Sequence, residues 1–235
     1  MSRTGKNHKR LDGFQRLLLL FVICMVVLLG YIIWSTPGSK PVLTGAVAQM
    51  QEYSGVESPV TAVLLNFRGY DTLLEVMVLL LAVIGTWSLT EAFFPVQRSE
   101  ISPVQMGAVR LLAPVMCLVA AYLVWQGSHL AGGAFQGGAI LGAAGVLMLV
   151  TELPALRTIP VLPLRIGLVF GPLFFAGIAL ICLLFTGDLL GYPKGAGGWL
   201  ILLIETACAI SIGLTLALLF AGGRPDKEFI WKNNP

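Results

Sequence analysis

The stretch "NFRGYDTLLEVMVLL", Asn66 to Leu80, carries Arg68, Asp71 and Glu75 into an apolar run. A charge taken into hydrocarbon is expensive, so an intramembrane carboxylate marks a candidate functional site. Two readings of these residues stand side by side. In the first, Thr72 and Glu75 form a capping box, each side chain satisfying a free backbone N–H of the first helical turn. Asp71 can take the N-cap position instead, and Arg68 can pair with Asp71 among the headgroups. In the second, Asp71 and Glu75 lie at i and i+4 on one helix face that Ala82 and Thr86 continue. That face is narrow, partly polar and turned toward protein, where a carboxylate can take up and release a proton.

The surrounding sequence decides what kind of helix this is. Of 235 residues, 57% are hydrophobic and 11% charged, and the mean hydropathy is +0.86. Soluble domains are about a quarter charged. The composition predicts an all-α integral membrane protein with no soluble catalytic domain. The net charge of +3 is too slight to imply nucleic-acid binding. Six apolar segments, about 14–34, 72–94, 108–126, 134–152, 164–186 and 199–221, each approach the length that crosses a bilayer. Clusters rich in Pro, Gly and charge separate them. Before the second segment, Ser58 and Pro59 form a helix start signal, and Val60, Val63, Leu64 and Phe67 recur at helical spacing. A short interfacial helix near 58–68 is expected there.

Orientation follows from the cations. With the N-terminus cytoplasmic, that side holds twelve of the Lys and Arg residues, among them Arg16, Arg98, Arg110, Arg157, Arg165 and Arg224; the other side holds Lys40, Arg68 and Lys194. The positive-inside bias predicts a multi-pass protein of the plasma membrane with both termini cytoplasmic, so that Glu75 enters from outside. The first apolar segment is too long for a signal peptide and lacks a small-x-small site after it, which favours an uncleaved anchor.

A second unusual stretch, "GSHLAGGAFQGGAILGAAGVLMLVTE", runs from Gly127 to Glu152. It is not a phosphate-binding loop, because no Gly-Lys-Ser/Thr follows. Ala134, Gly138, Gly142 and Gly145 instead make a small-residue face suited to close helix packing. His129 and Gln136 are candidates to line a wet mouth, although His129 also fits a plain interfacial histidine. With His8 in a basic tail, no multi-histidine metal site is expected, and no cofactor. Glu152 and Glu91 close their segments at the cytoplasmic side. Glu205 differs: it lies inside the last segment at the head of Ala209, Gly213 and Ala217, a stripe that faces a neighbouring helix. It reads either as a packing glutamate hydrogen-bonded to that helix or as a member of an ion path. Cys24, Cys117, Cys182 and Cys208 all fall inside apolar segments and read as small packing residues.

"PVTAVLLNFRGYDTLLE" resembles the C-terminal region of the large A subunit of Mrp-type multisubunit cation/proton antiporters. It is similar as well to the small E-type subunit of energy-converting membrane-bound hydrogenases. Arg68, Gly69, Tyr70, Asp71, Thr72 and Glu75 match the run that starts a membrane helix in both. From about Gly107 onward the chain resembles the antiporter B subunit. "AGGAFQGG" stands at its Gly-rich motif, with Ala131 in place of a proline and Ala134 in place of a glycine, and Glu205 stands at a glutamate of its last helix. The resemblance implies a fusion: a two-helix unit over 1–97 and a four-helix unit over 98–235. It implies a subunit that works with other subunits of a Mrp-like or complex I-like membrane complex, near a Na+ or H+ route.

No lysine falls within a predicted segment, which argues against a self-sufficient proton pump. The leading expectation is a non-enzymatic transport subunit with Asp71, Glu75, Arg68 and Glu205 along an ion path. The alternative is a structural adaptor whose carboxylates cap helices and bind partners. A stand-alone transporter is disfavoured by the absence of an internal repeat.

Overall fold

The computed structural model describes residues 13–35, 42–89, 102–151, 161–193 and 195–222, and all regular structure among them is helical. The chain divides into two compact units, Met1–Ala46 and Val47–Pro235. The first contains α1, Gly13–Ser35, whose described side chains are all exposed, including Leu17, Phe21 and Trp34. A helix apolar on every side and buried on none fits a lipid environment.

α2, Val42–Ser54, starts in the first unit and ends in the second. The second unit continues with α3 (Pro59–Ala62), a π-helical turn (Val63–Phe67), α4 (Gly69–Leu89), α5 (Pro103–Gln126), α6 (Ala134–Val150), α7 (Val161–Thr186) and α8 (Gly197–Ala221). The chain is an integral membrane protein: α4, α5, α7 and α8 are long and apolar enough to cross a bilayer, with Leu19–Ser35 and α6 as shorter apolar helices. Each of the six predicted apolar segments coincides with a helix over its described residues; 90–94 of the second and 152 of the fourth lie outside them. Their starts differ where polar signals outrank hydropathy. α5 begins at Pro103 because Ser102 and Gln105 form a complete capping box around it, five residues before the apolar run expected from about 108. α5 and α7 run continuously through Pro114 and Pro172.

α8 is the most enclosed of the four long helices, with 61% of its apolar window buried against 39% or less for the others. Small residues permit this. A Cβ added at Gly138 would stand 2.7 Å from Ile212 Cγ2 and 3.1 Å from the Ala209 carbonyl oxygen; one at Gly142 would meet Leu216 at 2.8 Å, and one at Gly145 the Ala217 Cβ at 2.8 Å. From the other side Gly213 faces Leu141 Cβ at 2.7 Å. α6 and α8 therefore touch nearly backbone to backbone along the predicted stripe. α7 does the same at Gly171, whose Cβ would lie 3.0 Å from the Ala207 oxygen, and Ser211 Oγ donates to the Leu168 oxygen at 2.5 Å. The buried core gathers Phe175, Ile201, Ile204, Cys208 and Ile212 around α8, with Cys182 beside them. Cys24 and Cys117 are exposed, so the packing role expected of all four cysteines holds within this chain for Cys182 and Cys208 alone.

This geometry sets a test. Gly138→Val must displace Ile212 and presses on α8 backbone, so it should lower stability by about 1–3 kcal/mol in detergent unfolding. Gly177→Ala, with nothing within 4 Å of its new Cβ, should be neutral or raise stability by up to about 1 kcal/mol through helix propensity.

Candidate functional site

Glu205 is 4% exposed. The chain between α5 and α6 is wrapped around its carboxylate. The N–H groups of Gly127 and Gly133 both donate to the Leu123 oxygen, at 3.1 and 2.8 Å, which folds the loop back over the end of α5. Gly133 has φ +114°, a conformation side chains rarely adopt, and a Cβ there would lie 2.5 Å from Glu205 Oε1. At Gly127 a Cβ would lie 3.0 Å from Oε2. The start of α6 at Ala134, with the free backbone donors that every helix N-terminus presents, lies beside the carboxylate. The positive end of the α6 dipole therefore faces an anion. Oε2 has no hydrogen-bond partner among the described residues.

A strap over Ser54–Thr61 holds this loop from outside. The N–H groups of Glu57 and Ser58 both donate to the Ser128 oxygen at 3.0 Å, and Thr61 Oγ1 donates to the Gly127 oxygen. Ser58 caps α3 by accepting from Thr61 N, with Pro59 following it, as its start signal predicted. Between strap, loop and α8 lies a cleft of about 380 Å³. Glu57, Trp125, Ser128, His129, Trp199 and Leu202 are among its lining residues. His129 is exposed, with Nδ1 3.0 Å from Ser128 Oγ and its ring tilted against Trp125 at 5.5 Å. Gln136 is exposed and is absent from the cleft lining; its Oε1 comes within 3.9 Å of the Cβ position of Gly133 that Glu205 Oε1 also approaches. Glu152 and Glu91 lie outside the described residues.

The Arg68–Glu75 segment is built differently from the expectation. α4 starts at Gly69, three residues before the predicted position, so Thr72 is no N-cap. Its hydroxyl instead donates to the Leu64 oxygen at 2.6 Å. The capping box of Thr72 with Glu75 is thereby overturned, and so is Asp71 as N-cap, since the Asp71 N–H already donates to the Arg68 oxygen. The expected Arg68–Asp71 ion pair is present, with both side chains well exposed. The buried face of α4 is Gly69, Thr72, Val76 and Val83. Glu75 and Ala82 are exposed, so the face they share with Asp71 and Thr86 turns away from this chain's own core.

The α7–α8 connection clamps the π turn. Tyr192 Oη donates to the Leu65 oxygen at 2.9 Å, and Leu190, at φ 61°, lays its side chain over Gly69, where a Cβ would require the Leu190 Cδ1 to move. Neither contact was visible in the sequence, because the partners are more than a hundred residues apart. Burial, with Cys182 nearby, pushes the Tyr192 phenol well above its ordinary range. No hydrogen bond or ion pair joins Glu205 to Asp71 or Glu75 among the described residues.

A family described as a domain related to the MnhB subunit of Na+/H+ antiporters matches residues 104–223, about half the chain. The chain belongs to this MnhB-related family. A second family, the MbhE component of MBH, matches residues 12–107, so an MbhE unit and an MnhB unit follow one another along one chain. Among solved structures, a chain of the membrane-bound sulfane sulfur reductase, an archaeal respiratory membrane complex, is similar at TM-score 0.67 and 24% identity over 88% of this chain and 97% of that one. A chain of the Mrp complex from Dietzia sp. DQ12-45-1b is similar at TM-score 0.59 and 19% identity; 96% of this chain aligns with 27% of that one. At these identities the two establish a shared fold. No curated protein matches. Glu205 and the loop around it lie in the MnhB match, and Arg68–Glu75 lies in the MbhE match.

Tyr192→Phe should cost about 0.5–1.5 kcal/mol of stability, the net worth of one hydrogen bond. The raised phenol keeps that contribution whole below the unfolded pKa of about 10 and loses it progressively above. Unfolding followed at rising pH should show wild type and Y192F converging on the alkaline side.

Proposed function

We propose that this MnhB-related chain is a membrane subunit of a multisubunit Na+/H+ antiporter-like complex, with Glu205 as its buried proton-handling carboxylate. The observation that carries the reading is the bare Oε2 of a glutamate enclosed by glycine backbone and the start of α6. A packing glutamate would have both oxygens satisfied. Arg68, Asp71 and Glu75 form an outer site that partner subunits complete, because Glu75 faces away from this chain's core. Other subunits supply the cation route and the lysines that this chain's helices lack; none occurs in any of the eight α-helices.

In this reading α1 and α6 also cross the bilayer, giving six spans, and the units meet near 97 and 98. α4, α6 and α8 run one way and α5 and α7 the other. Contacts of Thr61 with Gly127 and of Tyr192 with Leu65 gather Glu57, Arg68, Asp71 and His129 at one end of the bundle. Arg110 and Arg165 lie on α5 and α7 toward the opposite end. The positive-inside bias makes the arginine end cytoplasmic, together with both termini, in the plasma membrane of a prokaryote. The adaptor reading draws support from the exposed Arg68–Asp71 pair, which suits subunit docking, and it covers that segment better than it covers Glu205.

Glu205→Gln keeps the shape and an acceptor oxygen but cannot titrate. The assembled complex should retain its subunits and lose most cation-dependent proton flux in vesicles. Glu75→Gln should do the same independently, with Glu75→Asp retaining part of the flux. Wild-type flux in Glu205→Gln would leave this chain an adaptor. The chain reconstituted without its partners should give no cation-dependent flux at all.

A further inference from the structure

The cleft and the bare carboxylate oxygen belong to one device. Ser128, Gly198 and Leu202 line the cleft, and Leu202 lies one turn before Glu205 on α8. Gly127, next to Ser128, is the residue whose Cβ position stands 3.0 Å from Oε2. The Gly127–Ser128 turn is therefore the partition between the cleft and the carboxylate. We propose that this cleft is the aqueous access to Glu205, and that a proton, not a metal cation, passes the Gly127–Ser128 turn to reach Oε2. The inference rests on reading Glu205 as the proton-handling group and adds its route and its ligand.

Space and ligand number decide between proton and cation. Hard cations need several oxygen ligands. On the Oε2 side the chain offers the Gly127 backbone, whose Cβ position would lie 3.0 Å from that oxygen, and no side-chain oxygen is recorded against it among the described residues. Gln136 Oε1 lies 3.9 Å from the Gly133 Cβ position that stands 2.5 Å from Glu205 Oε1, and makes no recorded contact with the carboxylate among the described residues. Among the described residues no group of three His, Cys, Asp or Glu could hold a metal ion. A proton needs no ligand shell: carried by water past the loosened turn, it reaches Oε2 from the cleft and leaves by the same oxygen.

The groups around Glu205 bear on its charge. α6 carries no titratable side chain. On α5, Arg110, Cys117 and Tyr122 are exposed; on α4, Asp71 is paired with Arg68, and Tyr70 and Glu75 are exposed. α7 presents buried Cys182, with Arg165 exposed, and α8 itself presents Cys208 one turn on. Asp188 is exposed in the α7–α8 connection, which also carries the half-buried Tyr192. No ion pair reaches Glu205 among the described residues, and an uncompensated charge in such a place is costly. His129 and Glu57 stand in the cleft as the groups able to relay protons from bulk water.

The turn is held by the strap through the two N–H bonds to the Ser128 oxygen and the Thr61 hydroxyl bond to the Gly127 oxygen. These three bonds are what must loosen for water to pass.

Carbodiimides add to protonated carboxyl groups and report access without any transport assay. In the purified complex, with Cys24 and Cys117 replaced by Ser, a water-soluble carbodiimide should modify Glu205, read by mass spectrometry. The yield should fall as pH rises, and no adduct should form in Glu205→Gln. Trp199→Cys should label normally until a bulky methanethiosulfonate is attached, which should slow modification of Glu205 by about tenfold or more. The same reagent on Ser88→Cys, at the far end of the bundle, should change nothing. Unchanged labelling with the cleft blocked, labelling by a membrane-soluble carbodiimide alone, or no adduct with either reagent would each overturn the route. If Glu205 labels through the cleft and Glu205→Gln still transports at the wild-type rate, the access stands and the functional reading falls.

Discussion

In lipid, helices gain nothing by hiding apolar side chains from one another, so a bundle must be held by close van der Waals contact and hydrogen bonds. Here that contact is the meeting of α6 with α8 through Gly138, Gly142 and Gly213, where added Cβ atoms would collide with the neighbouring helix at 2.7–2.8 Å. The approach seals the middle of α8 and makes Glu205 a buried residue. A bulkier stripe would separate the two helices and let lipid or water reach the carboxylate. The same contact places the start of α6, and with it the Ala134 N–H, against Glu205. Packing and chemistry are thus set by one row of small residues.

The loop entering α6 has to satisfy a second constraint. It must turn from α5 into α6 while keeping its backbone against Glu205, and it does so by sending two N–H groups to the single Leu123 oxygen. Positive φ at Gly133 and the missing side chain at Gly127 make the path possible. A longer, side-chain-bearing loop could satisfy Oε2 with its own donors and remove the unpaired atom. The glycine-rich motif therefore leaves one oxygen free, and it does so by geometry alone.

The helices were legible because hydropathy and length are properties of continuous sequence, and so was the stripe of Gly138, Gly142 and Gly145, which repeats at helical spacing. Glu205 stood out for the same reason, as a charge interrupting an apolar run. The start of α4 was misread because two signals competed. Thr72 and Glu75 have capping-box spacing, but the Leu64 oxygen, freed by the π turn, claims the Thr72 hydroxyl. What covers Glu75 was not legible, because an i, i+4 pair defines a face without saying what lies against it; within this chain Gly69, Thr72, Val76 and Val83 take the buried side. Leu190 over Gly69 and the Tyr192 bond to Leu65 depend on tertiary contacts that no local pattern encodes.

The two carboxylate sites then divide by what surrounds them. Asp71 has a cation of its own chain within contact and stays in solvent, where an ion pair contributes little to stability and remains free to exchange partners. Glu205 has backbone around it and, among the described residues, no cation paired with it. The first arrangement suits a surface that a neighbouring subunit completes, since both side chains are already exposed. The second suits a proton site, since enclosure by fixed backbone leaves a change of protonation as the way to change its charge. One chain thus carries an exposed ion pair in its MbhE part and an enclosed carboxylate in its MnhB part. Both lie toward the end of the bundle at which the strap, the glycine loop and the α7–α8 connection meet, so any movement of the strap acts on the loop beside Glu205 and, through α3 and the π turn, on the start of α4.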